Sequence, residues 1–413
     1  MHVRSGLAIA VVALAFVAAG CGGGSHTSVP AGDHPLQPQL NGGAGSSALP
    51  TLYVAGQGAV YAYDLSVTPS PDASPVSKTT GYYYQAGSVN ASIAGIATSA
   101  TGDLVIAQNY ASGQGDGNSC QLVWIAARTG TKAANGVSSN CDNEIFNVTG
   151  QAVAVTYTGP GTGSTPAPGA FAGDVDVLMH YQRAGNPSAN PCATNSPVPI
   201  GTPTPSPSPS ASPSPTITSQ YEVDRYAINN GTGQASAQYC VTLDQGQNPA
   251  ATYVGIGGST NGAFFVDYNI GGNGTIERYN GDGNGPTATG SGLPGAGPIA
   301  VAVNATTNTG YRVVASTSGN VTTIYNFKVN GNTINFTHTL GTFPNPVTGL
   351  AVDNNGNVYV GVDQPNGVTK VKVYTPTQTQ ATSPSWVLNN PVRRPNPAAS
   401  PQARITGLAI TQP

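Results

Sequence analysis

The feature that most constrains this chain is a short pattern that returns six times and is incomplete at both ends. An apolar residue, a small residue and Gly are followed by alternating apolar and small residues. It reads Ile93-Ala94-Gly95-Ile96-Ala97-Thr98, and again Val148-Thr149-Gly150-Gln151-Ala152-Val153. Looser copies are Tyr253-Val254-Gly255-Ile256-Gly257-Gly258 and Pro298-Ile299-Ala300-Val301-Ala302-Val303. The clearest are Val347-Thr348-Gly349-Leu350-Ala351-Val352 and Ile405-Thr406-Gly407-Leu408-Ala409-Ile410. The starts at 93, 148, 253, 298, 347 and 405 lie 55, 105, 45, 49 and 58 residues apart. Four of these five intervals fit a propeller blade of about 40–50 residues plus a loop. The interval of 105 has room for a seventh blade, but it also contains the Thr/Pro/Ser/Ala tract Thr202 to Thr216. Proline cannot donate to a ladder, so the tract predicts an extruded polyproline II loop. Setting aside the tract and its flanks, about 184–219, leaves roughly one blade.

Each of the first five copies is followed by two further alternating runs. The second runs are Leu104 to Ala107, Val175 to Leu178, Ala263 to Val266, Tyr311 to Val314 and Val358 to Val360. The third runs are Leu122 to Ile125, Tyr221 to Tyr226, Thr275 to Tyr279, Thr323 to Phe327 and Val371 to Tyr374. β-Branched and aromatic alternation bounded by Gly and Asn marks strands. The sixth copy has nothing after it, because the sequence stops at Pro413, while Leu52 to Val54 and Val60 to Leu65 form second and third runs with no first. Ring closure joins the two oddities: the C-terminal strand completes the N-terminal blade and leaves no long exposed edge. The expected fold is all-β, a six-bladed β-propeller over residues 51–413.

Pro346 to Tyr374 contains Pro-Val-Thr-Gly-Leu-Ala-Val-Asp-Asn-Asn-Gly-Asn-Val-Tyr-Val and then Val-Thr-Lys-Val-Lys-Val-Tyr. It resembles an NHL repeat through Gly349, Asp353, Gly356, Asn357, Tyr359 and Val360. Asp353 is the expected side-chain cap of the turn. The other repeats keep the apolar pattern and lose the Asp. The resemblance implies a propeller that binds protein, nucleic acid or carbohydrate.

The N-terminus points to export. Arg4 precedes Leu7 to Ala19, an unbroken apolar run of 13 residues. That length suits a signal-peptide core and is too short to span a bilayer. Val17-Ala18-Ala19-Gly20-Cys21 resembles the bacterial lipobox, departing from it at Ala18, where Leu is usual. The resemblance implies a signal peptide over 1–20 and lipid, including palmitate, on Cys21. Two or more acyl chains give stable anchoring. Residues 21–50 are Gly, Ser, Pro and polar residues, too poor in apolar surface to fold, and read as a disordered tether. The expected location is the cell envelope, lipid-anchored.

Charged residues make up 8% of the chain, 14 basic against 17 acidic, with no basic patch, which disfavours nucleic acid. Beyond Cys21 there are four cysteines, Cys120, Cys141, Cys192 and Cys240, none in a C-x-x-C spacing that would favour metal. An even count in an exported chain favours disulfides, with reduced, buried thiols as the alternative. The run from Gln121 should pair antiparallel with a strand near Ala134 to Ser139 across a turn at Arg128 to Lys132. Cys120 and Cys141 lie 10.5 positions either side of its centre at 130.5, opposite each other. Such a bridge contributes roughly 3 kcal/mol. Cys192 and Cys240 are then left for each other by elimination.

Catalytic chemistry is scarce. Of the five histidines, His2, His26 and His34 fall in the leader or tether, and His180 and His338 sit in strand-like runs without an acidic neighbour in sequence. Gluconolactonase-like calcium hydrolases share the six-bladed architecture and place an Asp in a Pro-Asp-Gly turn before an inner strand. Here that place reads Val347-Thr348-Gly349, and no Glu-Gly-Pro motif occurs. Streptogramin lyase-like propellers need a catalytic His that has no counterpart here. Asn280 to Gly285 lacks the closing Glu of a calcium loop and reads as a hairpin turn. No Gly-x-Ser-x-Gly elbow exists. Tyr82, Tyr83 and Tyr84 are either exposed, which suits protein or sugar binding, or an outer strand packed on the next blade. The expectation is a monomeric, lipid-anchored module without cofactor or metal that binds protein or carbohydrate. A lactonase-like or lyase-like enzyme is the alternative.

Overall fold

The structure is a computed structural model. It describes residues 49–411 apart from 57, 77–82, 87–90, 100–101, 111–119, 126–135, 141–148, 159–173, 185–216, 229–234, 244–249, 260, 303–311, 365–366, 376–383 and 393–403. Every regular element among the described residues is a strand. Blade 1 takes β1 (Thr51–Gly56), β2 (Ala59–Asp64) and β3 (Tyr84–Gln85). Blade 2 is β4 (Ala91–Thr98), β5 (Leu104–Tyr110), β6 (Cys120–Ile125) and β7 (Gly136–Asn140). Blade 3 is β8 (Thr149–Thr158), β9 (Asp174–Ala184), β10 (Ile217–Ile228) and β11 (Ala235–Thr242). Blade 4 is β12 (Ala251–Gly258), β13 (Phe264–Ile270), β14 (Asn273–Tyr279) and β15 (Ala288–Leu293). Blade 5 is β16 (Ile299–Val301), β17 (Arg312–Ser318), β18 (Val321–Asn330) and β19 (Thr333–Phe343). Blade 6 is β20 (Val347–Val352), β21 (Val358–Asp363), β22 (Thr369–Tyr374) and β23 (Trp386–Asn389).

The last strand, β24 (Ile405–Ile410), pairs antiparallel with β1, Leu52 opposite Ile410 and Val54 opposite Leu408. Ring closure by the C-terminal strand is therefore as expected, and there are six blades. The long interval holds one blade, whose β9 and β10 pair out to Ala184 and Ile217. Between these two strands, within the Pro/Ser-rich insertion expected at about 184–219, lies the segment 185–216. It lies outside the described residues, as do residues 1–48 with the leader, Cys21 and most of the tether.

Six apolar clusters fill the six blade interfaces. Alternate residues of one strand serve opposite neighbours, because successive side chains point to opposite faces. In β5, Leu104 and Ile106 pack toward blade 1, while Val105 and Ala107 pack toward blade 3. In β21, Val358, Val360 and Val362 face blade 5, and Tyr359 faces blade 1. Burial on both faces explains why these strands read as nearly continuous apolar runs.

The structure also explains the repeat. In five inner strands one residue is skipped by the ladder: Ala94, Val153, Val254, Thr348 and Thr406. The residue after each bulge is Gly95, Ala154, Gly255, Gly349 and Gly407. The blade 3 copy therefore starts at Ala152, four residues after the Val148 expected from the Gly150 match. Blade 5 is shifted as well. Val301 pairs with Arg312, the first residue of β17, as Val352 pairs with Val358, so Pro298 stands in the glycine's place. Neighbouring strands are too close for side chains at several of these positions. A Cβ on Gly255 would meet the Gly297 carbonyl oxygen at 2.3 Å, and one on Gly258 would meet Tyr157 O at 2.1 Å.

This gives a steric prediction. Gly258→Ala is expected to cost about 2–3 kcal/mol, since backbone must move to admit the methyl group. Gly58→Ala, where a Cβ meets nothing within 4 Å, should change stability by less than about 0.5 kcal/mol. Denaturant titration of both variants checks this, and equal midpoints would remove the steric account.

Candidate functional site

The inner strands β24, β4, β8, β12, β16 and β20 each stand at the end of a strand order, so each has one edge outside any ladder. They enclose an axial cavity of about 270 Å³. Its described lining is Gly, Ala, Val, Ile, Leu, Pro, Thr and Tyr, without a charged side chain or a histidine. The place of the lactonase aspartate is held by Thr348, whose Oγ1 donates to Asp363 Oδ2 at 3.4 Å. No set of convergent oxygen ligands forms at this cavity among the described residues.

A hydrogen bond to each inner strand or its lead-in crosses every interface. Thr98 Oγ1 donates to Ile410 O at 2.7 Å, tying blade 2 to blade 1. Asn109 clamps Ala152 of blade 3 at both its N–H and its C=O, each at 2.8 Å. Gly258 N donates to Thr156 Oγ1 at 2.8 Å and Val347 N to Thr322 Oγ1 at 3.1 Å. Gly297 N donates to Asp267 Oδ2 at 2.9 Å, and Ile405 N to Asp363 Oδ1 at 3.0 Å. Asn109 and Asp363 are both the sixth residue of a second strand, so one structural position does the same work in blades 2 and 6. Asp267 is fully buried, and burial pushes its carboxyl well above the ordinary value against the pull of the Gly297 and Tyr268 amides. Burial also raises the Asp363 carboxyl.

A second polar device, not anticipated from sequence, locks blade 3 to blade 4. Arg225 and Asp176 are cross-strand partners on β10 and β9 and are both fully buried. Arg225 Nε and Nη2 donate to the two Asp176 oxygens at 2.6 Å each. Its Nη1 and Nη2 donate onward to Gly281 O and Gly262 O in two turns of blade 4, also at 2.6 Å. The guanidinium lies 6.0 Å from the Phe264 ring centre. Burial raises the Asp176 carboxyl, and the charge and hydrogen bonds of Arg225 oppose that shift. A bidentate pair with further donors bonded to carbonyls is the arrangement in which a buried ion pair is tolerated. Its one trace in the sequence is the set of charged residues inside the apolar run Tyr221 to Tyr226.

The other residues singled out by sequence have structural roles. His180 of β9 stacks on Tyr221 at 4.5 Å, and burial pushes its imidazole down from the ordinary value. His338 lies in β19 opposite Tyr325. Tyr83 and Tyr84 are buried, and Tyr84 Oη donates to Gln108 Oε1 of blade 2, so they pack on the next blade rather than stand exposed. Tyr82 lies outside the described residues. Asn280 to Gly285 is a hairpin turn between β14 and β15, with Asp282 accepting from Asn284. Asp353 caps its turn by accepting from the amides of Asn355 and Asn357. The register expected for β6 and β7 is observed: Gln121 pairs with Asn140 and Leu122 with Ser139. Cys120 is fully buried at the head of β6, while Cys141 and Cys192 lie outside the described residues. Glu222, Asp224 and Cys240 bring ligand atoms within 4.8 Å. That closeness follows from the ladder, since Asp224 pairs with Cys240.

No family model and no curated protein matches this chain. Solved structures do match in shape. A lectin from the fungus Aleuria aurantia, described as a six-bladed β-propeller, is 11% identical and aligns over 85% of this chain and 100% of its own at a TM-score of 0.41. The Dos1 propeller is 11% identical over 87% of this chain and 69% of its own, TM-score 0.35. A luciferin-regenerating enzyme is 10% identical over 76% of this chain and 78% of its own, TM-score 0.39. Likeness at this level says nothing of activity. The strand order and closure make this chain a six-bladed β-propeller.

The Asp267 carboxyl gives a pH prediction. Its folded value is raised, so the folded state holds the proton more tightly than the unfolded chain. Stability from this group is therefore lost as pH rises above the ordinary carboxyl value and through the folded one. Asp267→Asn keeps an acceptor for Gly297 N and removes the titration. The variant should gain on the parent as pH rises, by about 1–2 kcal/mol at the plateau. Urea unfolding across acidic to neutral pH checks this. A difference that stays flat, or that grows toward acid, would contradict it.

Proposed function

We propose that this propeller is a binding module displayed on the cell envelope through lipid on Cys21, recognising carbohydrate or protein and performing no chemistry of its own. The observation that carries the reading is the axial cavity. Where a propeller hydrolase of the kind considered above needs convergent oxygen ligands, the described lining offers only backbone, apolar side chains and hydroxyls. Removing charge from water without a partner is costly, so such a lining is suited to uncharged groups. The NHL-like repeat around Gly349 and Asp353 supports the same class of role.

The anchor belongs to this proposal, as do the bridges Cys120–Cys141 and Cys192–Cys240. Support for the first comes from the β6–β7 register, in which Gln121, next after Cys120 in sequence, pairs with Asn140, next before Cys141. Oxidised bridges accord with an exported chain.

Cys21→Ser should release the protein from the membrane fraction with its fold intact. Unchanged fractionation would remove the anchor. The released full chain should then capture a glycan or protein from an array or envelope extract. Turnover of lactone or ester substrates by the same preparation would instead establish the enzyme reading.

A further inference from the structure

The axial cavity also narrows the class of ligand, an inference that rests on the binding role proposed above. Each inner strand has one edge outside any ladder. Peptide N–H and C=O groups are strong hydrogen-bonding groups and are costly to bury without partners. Side chains of neighbouring blades take some of these edge groups, at Ala152, Gly258, Val347, Ile405 and Ile410. Other residues of these strands line the cavity. Its 270 Å³ lies just below the usual range for small-ligand pockets.

We propose that the axial cavity binds a neutral, hydroxyl-rich small molecule, a single sugar ring free or at the end of a glycan, chiefly through the backbone edges of the inner strands. Two properties of hydroxyl groups and one observation of the lining select this class. Hydroxyl groups both donate and accept, so they match an edge that alternates N–H and C=O. A ligand with several hydroxyls can replace several waters while keeping their hydrogen bonds. Charge is disfavoured, because no charged side chain lines the cavity. Asp267 and Asp363, which bond the lead-in or first residue of an inner strand, are committed to the Gly297 and Ile405 amides and do not line the cavity. The bulged residues Ala94, Val153, Val254, Thr348 and Thr406 line the cavity and are partly exposed.

The test titrates the full chain carrying Cys21→Ser with neutral hexoses, a uronic acid and an amino sugar, by calorimetry or saturation-transfer NMR. The same preparation is screened on immobilised glycans. A neutral hexose should bind at least about tenfold more tightly than either charged congener. Ala94→Phe and, on a different inner strand, Val254→Phe plug the cavity and should each weaken binding by about tenfold or more. Thermal melts confirm that each variant is folded. Val67→Phe, at a residue 70% exposed, should leave binding unchanged. Hexose binding without glycan capture supports the axial site and names free sugar as its ligand. Glycan capture that survives both plugs leaves the binding module standing and overturns the axial site. Binding of the uronic acid or amino sugar as tightly as the hexose overturns the neutral class. Absence of any hexose or glycan binding overturns the axial sugar site, and only loss of protein capture as well overturns the binding module.

Discussion

The constraint on which the rest depends is the closeness of six inner strands around one axis. At Gly255 and Gly258 the backbone of the neighbouring blade stands within 2.3 Å of where a Cβ would be. Gly349 and Gly407 meet side-chain atoms of the next inner strand at 2.9 and 3.3 Å. Small residues at the axis let blades approach far enough for one residue to reach across and hold the next inner strand. All six interfaces use such a bond, and the donors and acceptors differ: Thr98, Asn109, Thr156, Asp267, Thr322 and Asp363. Each contributes about 1 kcal/mol. Their larger effect is to fix strand height, and with it the shape of the cavity between them.

Closure belongs to the same constraint. Blade 1 is assembled from both ends of the sequence, so its first strand arrives only with β24. Thr411 secures the seam: Thr51 N donates to its Oγ1 at 2.8 Å, and that hydroxyl donates to Leu49 O at 2.7 Å. Until the seam forms, the inner edges of blades 6 and 2 lack the neighbour that fills their apolar clusters. The last apolar contacts to form therefore join residues more than 300 positions apart, such as Leu52 with Ile410. High sequence separation of this kind slows folding and leaves edges exposed for longer. The Asn- and Thr-rich, charge-poor surface does not change that.

Much of this architecture is legible in the sequence because period-2 alternation and turn residues are local signals. Blade count, ring closure and the β6–β7 register all follow from them. A motif anchored on Gly puts two of the six repeat copies out of step, and the reason is physical. The structure needs only a residue that tolerates the close approach after the bulge. Ala154 and Pro298 satisfy that need in blades 3 and 5. Gly150 matches the letters without occupying the place. The Arg225–Asp176 lock is invisible for a different reason. Its partners at Gly262 O and Gly281 O are backbone atoms of another blade, and sequence carries no mark of which carbonyl will be near.

The cavity shows the same limit from the functional side. Motif reading looks for side chains with chemistry, and this chain keeps its strongest polar side chains away from the axis. Arg225 and Asp176 lie in the third and second strands of blade 3, and Asp267 and Asp363 are turned to amides of the next blade. What remains at the axis is the peptide group itself, present at every residue and therefore silent in a motif. A site built from strand edges depends on where six backbones are held rather than on which residues they carry. The interblade hydrogen bonds and the small residues that permit them are thus part of the site, although none presents a reactive group to it. Substitutions at the axis that preserve small volume should accordingly be neutral for recognition, while a shift of one strand relative to its neighbour would abolish it with every lining residue unchanged.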